Sequence, residues 1–331
     1  MPLTIYDIAK LAGVSITTVS RVMNGKEGVT EKTRAKIQAV LDESGYAPSQ
    51  LARGLASKLS RTVGIVAVDI RDVHHAALVY QAERWLGMKG YSCIVYSLSG
   101  RTEDLGLYLD MMVSRQVDGI VFTGSVFAGE PCRTALLEKT GDIPCVLMNA
   151  TLPAENFYGI LSDEREAFTA AVDFLAQQKS RKNIALIYSG GTASEEEKRA
   201  GYRLGMQQNG LQKYCAEIQC PFSIKSGSAI TQKVMQENPK TDAILYTTDL
   251  IAAGGIHALC DAGIAVPGQV AVVGTNNSDY ARICRPTITS IDNKAYPTGK
   301  LAAETLVAAI EGNHPPKVQH IGCELIERGS T

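Results

Sequence analysis

From Thr62 to the end of the chain, short apolar runs alternate with longer amphipathic stretches, and this alternation limits the fold more than any other feature. The apolar runs lie at 63–69, 92–98, 119–123, 144–148, 183–188, 243–247 and 270–274. Between them, 76–89, 103–115, 164–178, 195–209, 229–237 and 251–262 carry apolar residues at helical spacing. A strand followed by a crossover helix and another strand makes a parallel sheet, covered by helices on both faces. Doubly wound sheets of this kind bind ligands beyond the carboxyl ends of their strands. The set is long enough for two such lobes, the second beginning near Leu161.

The first 61 residues do not follow this pattern, and their charge differs as well. They hold nine Lys and Arg against five Asp and Glu, a balance of +4, whereas the whole chain carries −1 and the remainder therefore −5. A basic head on an acidic body is the asymmetry expected when only the head meets phosphate. The eight cysteines, at 93, 132, 145, 215, 220, 260, 284 and 323, form no C-x-x-C and have no metal-ligand spacing with a His. They read as buried free thiols in a reducing cytoplasm, with no metal site and no cofactor implied. No run approaches the ~18 apolar residues of a membrane span, and no apolar signal core opens the chain. The protein is expected in the cytosol.

Three short helices are predicted in the head. Thr4 and Asp7 form a T-x-x-D capping pattern, so a helix begins at about Ile5, with Ile8, Leu11 and Ala12 at helical spacing up to Gly13. Ser15 caps a second helix to about Met23, with Val19 and Val22 inward. Thr30 caps a third helix ending at Ser44, with Gly45 after it and Ile37, Val40 and Leu41 as its inner stripe. The tight Gly-containing turn between the first two makes the pair a helix-turn-helix. Its second helix would place Ile16, Thr17 and Arg21 against base edges: Arg21 bidentate to guanine, Thr17 to a base, Ile16 to a thymine methyl. Thr4, Tyr6, Ser15, Ser20 and Asn24 are suited to phosphate oxygens. Residues 49–58 are compatible with one more helix, but Gly54 weakens it by about 1 kcal/mol and so short a helix is marginal alone.

The runs Thr4-Ile5-Tyr6-Asp7-Ile8-Ala9, Ala12-Gly13-Val14-Ser15 and Thr18-Val19-Ser20-Arg21-Val22-Met23-Asn24 resemble the N-terminal signature of the lactose/galactose repressor (LacI/GalR) family. Val29-Thr30, Thr33-Arg34, Gly45-Tyr46 and Pro48 continue the match. The resemblance implies DNA binding and adds Thr18 to the contacting set. It also implies that the segment after Pro48 is a hinge helix that orders on operator DNA, pairs with its twin and wedges Leu55 into the minor groove, with Arg53 beside it. An apolar wedge of that kind unstacks a base step and kinks the duplex. The implied organisation is a helix-turn-helix domain over 1–47, hinge and linker over 48–61, and a two-lobed periplasmic-binding-protein type I core over 62–331. The chain would cross between lobes near Leu161, Ile291 and Ile321, joining 62–161 to 292–320 in one lobe and 162–291 to 321–331 in the other.

For the effector cleft the resemblance points to Asp72, His74, His75, Thr123, Asn149, Asp163, Lys198, Phe222, Asp249, Asn276 and Asn293, with several departures. Imidazoles at 74 and 75 stand where the family has aromatics in the loop after the first strand, while Phe222 keeps a stacking ring. Lys198, followed by Arg199 and Gly201-Tyr202, offers a point charge where the family has an arginine fork, unless Arg199 substitutes. Asn276 replaces a sugar-binding carboxylate, and Asp163 sits beside Ser162 where another acid is expected. With Lys198 and two histidines at hand, a sugar phosphate or sugar acid is one candidate effector and a nucleobase another. Whether it induces or corepresses stays open. No catalytic set is present: Ser189-Gly190-Gly191-Thr192 lacks any nucleotide-binding motif and reads better as a simple turn. The end of the chain holds no leucine heptads, which favours a homodimer over a tetramer. A solute-binding protein without a DNA role would need an export signal and no basic head.

Overall fold

The computed structural model describes residues 3–23, 27–44 and 59–331. Asn24, Arg53, Leu55 and the expected hinge helix lie outside the described residues. The chain divides into two compact units, one within residues 1–61 and the other spanning Thr62–Thr331.

The smaller unit contains α1 (Ile5–Ala12), α2 (Ile16–Met23) and α3 (Glu31–Ser44). Thr4 opens α1 with a reciprocal cap: its hydroxyl accepts from the Asp7 amide at 3.4 Å, and the Asp7 carboxylate accepts from the Thr4 amide at 2.8 Å. Gly13 closes the helix at φ 62°, a left-handed conformation that glycine adopts without a Cβ penalty, and so turns the chain toward α2. Ser15 accepts from the Thr18 amide at 3.2 Å, and Thr30 from the Thr33 amide at 3.4 Å. Ile8, Ala9, Ala12, Val19, Val22 and Ile37 make the core, with Val40 and Leu41 half-buried against it. Leu11 departs from expectation at 61% exposed. The buried arc of α1 runs through Ile8, Ala9 and Ala12, and Leu11 falls to one side of it.

The larger unit holds two six-stranded sheets. The first has the order β2 (Ser92–Ser97), β1 (Thr62–Ala67), β3 (Gly119–Thr123), β4 (Cys145–Met148), β5 (Phe157–Ser162), β11 (Val318–Ile321), all parallel. The second has β7 (Ala216–Gln219), β6 (Ile184–Tyr188), β8 (Ala243–Tyr246), β9 (Ala271–Thr275), β10 (Thr289–Asp292) and β12 (Glu324–Ile326). Here β12 runs antiparallel to β10, so this sheet is mixed at one edge rather than wholly parallel. Because β5 and β11 belong to one sheet and β6 to β10 and β12 to the other, the chain changes sheet after Ser162, after Asp292 and after Ile321.

Inner strands bury both faces, which explains their near-continuous apolar character. In β3, Ile120 and Phe122 join the core with α5 (Leu105–Ser114) and α6 (Cys132–Lys139). Val121 points the other way, toward α4 (Val73–Met88) and α12 (Ala295–Ile310). The second sheet repeats this plan. Ile184, Leu186 and Leu245 pack with α7 (Glu164–Asp173) and α8 (Ala193–Gln208) on one face. Ile187, Ile244 and Tyr246 pack with α9 (Ile224–Glu237), α10 (Asp249–Asp261) and α11 (Asp279–Ile283) on the other. Strands β5, β7, β10, β11 and β12 and helices α6, α11 and α12 go beyond the runs read from the sequence. Cys215 and Cys260 are exposed, contrary to the expectation that the thiols are all buried. Among the described residues no helix is long and apolar enough to cross a membrane.

Candidate functional site

Two surfaces carry chemistry. On the head, α2 presents Ile16, Thr17 and Arg21 outward while Val19 and Val22 hold its other side to the core. The exposed Ser15 is joined to Thr18, whose hydroxyl lies 2.8 Å from its own, so both help to shape the helix start as well as flanking it. Thr4 and Tyr6 are exposed at the start of α1, and Ser20 is half-buried. No described acid lies on α2, and Arg21 near its end is the helix's one basic residue.

In the body, a cavity of about 760 Å³ opens between the two sheets' carboxyl ends. The first lobe supplies Asp72, His74, His75, Ser125 and Asn149; the second supplies Glu164, Glu195, Lys198, Phe222, Asn276 and Tyr280, with Asn293 from the crossover after β10. The sequence suggests a loop for 72–75, yet Asp72 is the N-cap of α4, accepting from the His74 amide at 2.9 Å, and both histidines ride its first turn. His75 Nδ1 lies 3.3 Å from the Thr123 hydroxyl. Asn149 and Asn276 adopt positive φ, 59° and 98°, where asparagine is better tolerated than other side chains, so these positions serve the backbone as well as the cavity.

Lys198 does not project a free charge. Its Nζ lies 3.3 Å from Glu195 Oε1 and 3.5 Å from Glu164 Oε1, and all three side chains are more than nine-tenths buried. The three meet because α7 and α8 pack tightly: a Cβ on Gly201 would lie 2.2 Å from the Arg165 carbonyl oxygen. Burial works against the Lys198 charge, but the two carboxylates outweigh it and hold the ammonium well above its ordinary pKa. Burial also pushes Glu164 upward, against the pull of Lys198. The histidines move the other way: burial, then His75 and Lys198, lower His74 to about 3, and burial lowers His75 despite Asp72 and Asp69. Both imidazoles are therefore neutral near pH 7.

Several expected cleft residues stand elsewhere. Thr123 is fully buried behind His75 and does not line the cavity. Asp163 faces a neighbouring hollow and pairs with His320 at 2.8 Å. Asp249 is buried beneath the wall, accepting from the Ser278 amide at 2.7 Å, the Ser278 hydroxyl at 2.9 Å and the Ser290 hydroxyl at 2.7 Å. Burial raises it to about 6, the hydrogen bonds opposing. Arg199 does not substitute for Lys198: it pairs with Glu217 at 2.7 Å and Glu196 at 2.8 Å, away from the cavity. Sequence reasoning missed Glu164 and Glu195. Glu195 stands three residues before Lys198 on α8, a helical pairing distance, and Glu164 is one residue from the acid that was named.

Comparison with known proteins matches residues 4–49 to the family described as bacterial regulatory proteins, lacI family, and residues 172–331 to a periplasmic binding protein-like domain. An HTH-type transcriptional regulator of Lachnoclostridium phytofermentans is 33% identical, over 99% of each chain. The chain belongs to the lacI family of bacterial regulatory proteins. Catabolite control protein A of Priestia megaterium is also 33% identical, over 92% of each chain. Among solved structures, a lac repressor dimer bound to operator and an anti-inducer shares the fold with a TM-score of 0.88 at 23% identity, covering 100% of this chain and 99% of that one. The transcriptional regulator CelR in complex with cellobiose gives 0.72 at 26% identity, over 99% and 100%. The lacI-family chain is thus a DNA-binding transcriptional regulator, and its curated relatives are regulators rather than enzymes.

Proposed function

We propose that this lacI-family chain is a cytosolic, homodimeric repressor whose two heads bind the half-sites of a pseudo-palindromic operator. A small carbohydrate-like effector in the interlobe cavity switches it. The outward face of α2 carries this reading. Ile16, Thr17 and Arg21 project from a helix whose other side is fixed to a core, on a head of +4 charge. A bidentate guanine contact from Arg21 would supply discrimination, and Thr4, Tyr6, Ser15, Thr18, Ser20 and Asn24 would fix register on the phosphates. Arg53 and Leu55 would act at the operator centre, where the paired hinge helices kink the duplex.

In the body, His74, His75, Asn149, Lys198, Phe222, Asn276 and Asn293 would surround the effector, with Asp72 at the helix start. Thr123, Asp163 and Asp249 act one layer back. An effector that binds the closed lobes better than the open ones shifts their balance and changes how readily hinge helices pair. The test is footprinting of the full-length protein on its own promoter region at low salt, with and without candidate sugars. Protection of a two-fold-related site that a sugar alters is the expected result. An intact dimer that protects nothing under any of these conditions overturns the proposal.

A further inference from the structure

Four carboxylates line the interlobe cavity, Asp69, Asp72, Glu164 and Glu195, against two cations, Arg71 and Lys198. Both cations are paired, Lys198 inside the wall and Arg71, its side chain 75% exposed, at the rim. Arg71 is clasped by Asp69, with Nε 3.0 Å from Oδ1 and Nη2 2.6 Å from Oδ2, and Lys198 is shared between two buried glutamates. The histidines add no charge near pH 7 because burial keeps them neutral.

Acidic or hydroxyl side chains stand at the helix starts around the cavity. An N-terminus attracts anions through its free amides and dipole. Asp72 caps α4; Glu164 and Glu195 lie in the first turns of α7 and α8 without capping them, Glu195 Oε2 accepting from the Ser189 amide at 3.2 Å. The Ser189–Thr192 turn, the one stretch with a phosphate-cradle look, thus already has a carboxylate in it. At α9 Ser223 caps the helix, accepting from the Ser226 amide at 3.0 Å.

One buried acceptor is nonetheless left open and a second is only loosely held. Glu164 Oε1 has the Lys198 ammonium at 3.5 Å, and Asn293 Oδ1 has no partner, its amide nitrogen being given to Asn276 Oδ1 at 3.0 Å. A buried acceptor without a donor costs on the order of 1–3 kcal/mol. A ligand that brings hydroxyl or ammonium hydrogens recovers that energy; a phosphate or carboxylate adds like charge instead.

We infer that the cavity receives hydroxyl-rich ligands that are neutral or positively charged, and that Glu164 is the residue that turns their anionic relatives away. This rests on the cavity being the effector site, and it reverses the reading of Lys198 as an anion receptor. Glu164 sets specificity through a direct acceptor atom and through its hold on Lys198.

The test uses full-length protein and inorganic phosphate, with sodium chloride at matched ionic strength as the reference. The quantity read is the phosphate-dependent rise in the melting transition of the body in Glu164→Gln minus that in the wild type, so that phosphate sites elsewhere cancel. The expected difference is about 2–4 °C, abolished when Lys198→Met is added. A difference of zero or below overturns the inference, as does a wild-type rise that Lys198→Met removes. Should Glu164→Gln fail to fold, Glu195→Gln is read in the same way. The effector reading itself fails by a separate result: sugars that raise the body's transition leave operator protection unchanged.

Discussion

The head and the cavity spend their polar side chains in opposite ways. On α2, Arg21, Thr17 and Ile16 stand exposed. In the cavity, Lys198, Glu164 and Glu195 are buried and committed to one another. A surface built to meet a polyanion can leave its groups in water until the partner arrives, since surface charges cost little to keep. A cavity built to choose among small molecules must hold its groups rigid beforehand, and the internal pairs that do so cancel the charges a sequence reader counts. The same residue type, a Lys or Arg on a helix, thus means attraction in one region and structure in the other.

The sharpest way to break this contrast is Lys198→Met. Removing one member of a buried ion pair strands its partners, at a cost of about 3–5 kcal/mol to the body. Chemical denaturation should show this loss, and it should shrink as pH falls, because Glu164, already pushed upward by burial, can then take a proton. A variant as stable as wild type at pH 8 would mean that the triad is not a structural unit. Next comes Ile37→Ala in the head, where a large-to-small change in a core of six buried side chains costs about 2–5 kcal/mol. So small a core has little in reserve. The expected outcome is a melted head, lost operator binding and an unchanged melting transition for the body; a coordinated shift of both would show that the two units do not unfold separately.

Legibility in the sequence follows the same division. The head was readable because its caps are local: Thr4 with Asp7, Ser15 with Thr18 and Thr30 with Thr33 each span three residues. Only Leu11 misled, since helical spacing permits an apolar residue on either flank of the buried arc. Inner strands such as β3 were readable because both their faces are buried. The inner β5 and β10 were nonetheless missed, and of the edge strands only the longer β2 was read, β7, β11 and β12 being short with half-exposed or exposed positions. In the cavity, position was more legible than role. Lys198 does line it, but its partner Glu164 lies on another helix, and no spacing rule brings those two together. Asp163 was named in place of Glu164 because a shift of one residue between strand and helix decides which acid faces inward.

A smaller effect separates base reading from phosphate binding on the head. Arg21→Ala should weaken operator binding by about 1–3 kcal/mol and relax the preference at one base pair. Binding to unrelated DNA should change much less. Competition footprinting on operator variants measures both; an equal loss on every sequence would reassign Arg21 to the phosphate backbone.

The mildest prediction concerns Asp249, which organises the cavity wall from below. Its folded pKa, raised by burial to about 6, exceeds the ordinary carboxylate value of 3.8. A raised folded pKa means the native state binds the proton more tightly, so this contribution to stability is full below about pH 4 and lost as pH rises through about 6. Asp249→Asn keeps an acceptor for the Ser278 amide and removes the buried charge, so the variant should match the wild type near pH 4 and be the more stable at pH 7. The difference is in slope. Between pH 4 and 7 the wild type should lose stability relative to the variant, with any histidine contribution cancelling in the comparison. Parallel curves over that range would show that the hydrogen bonds from Ser278 and Ser290 already offset the burial of the carboxylate.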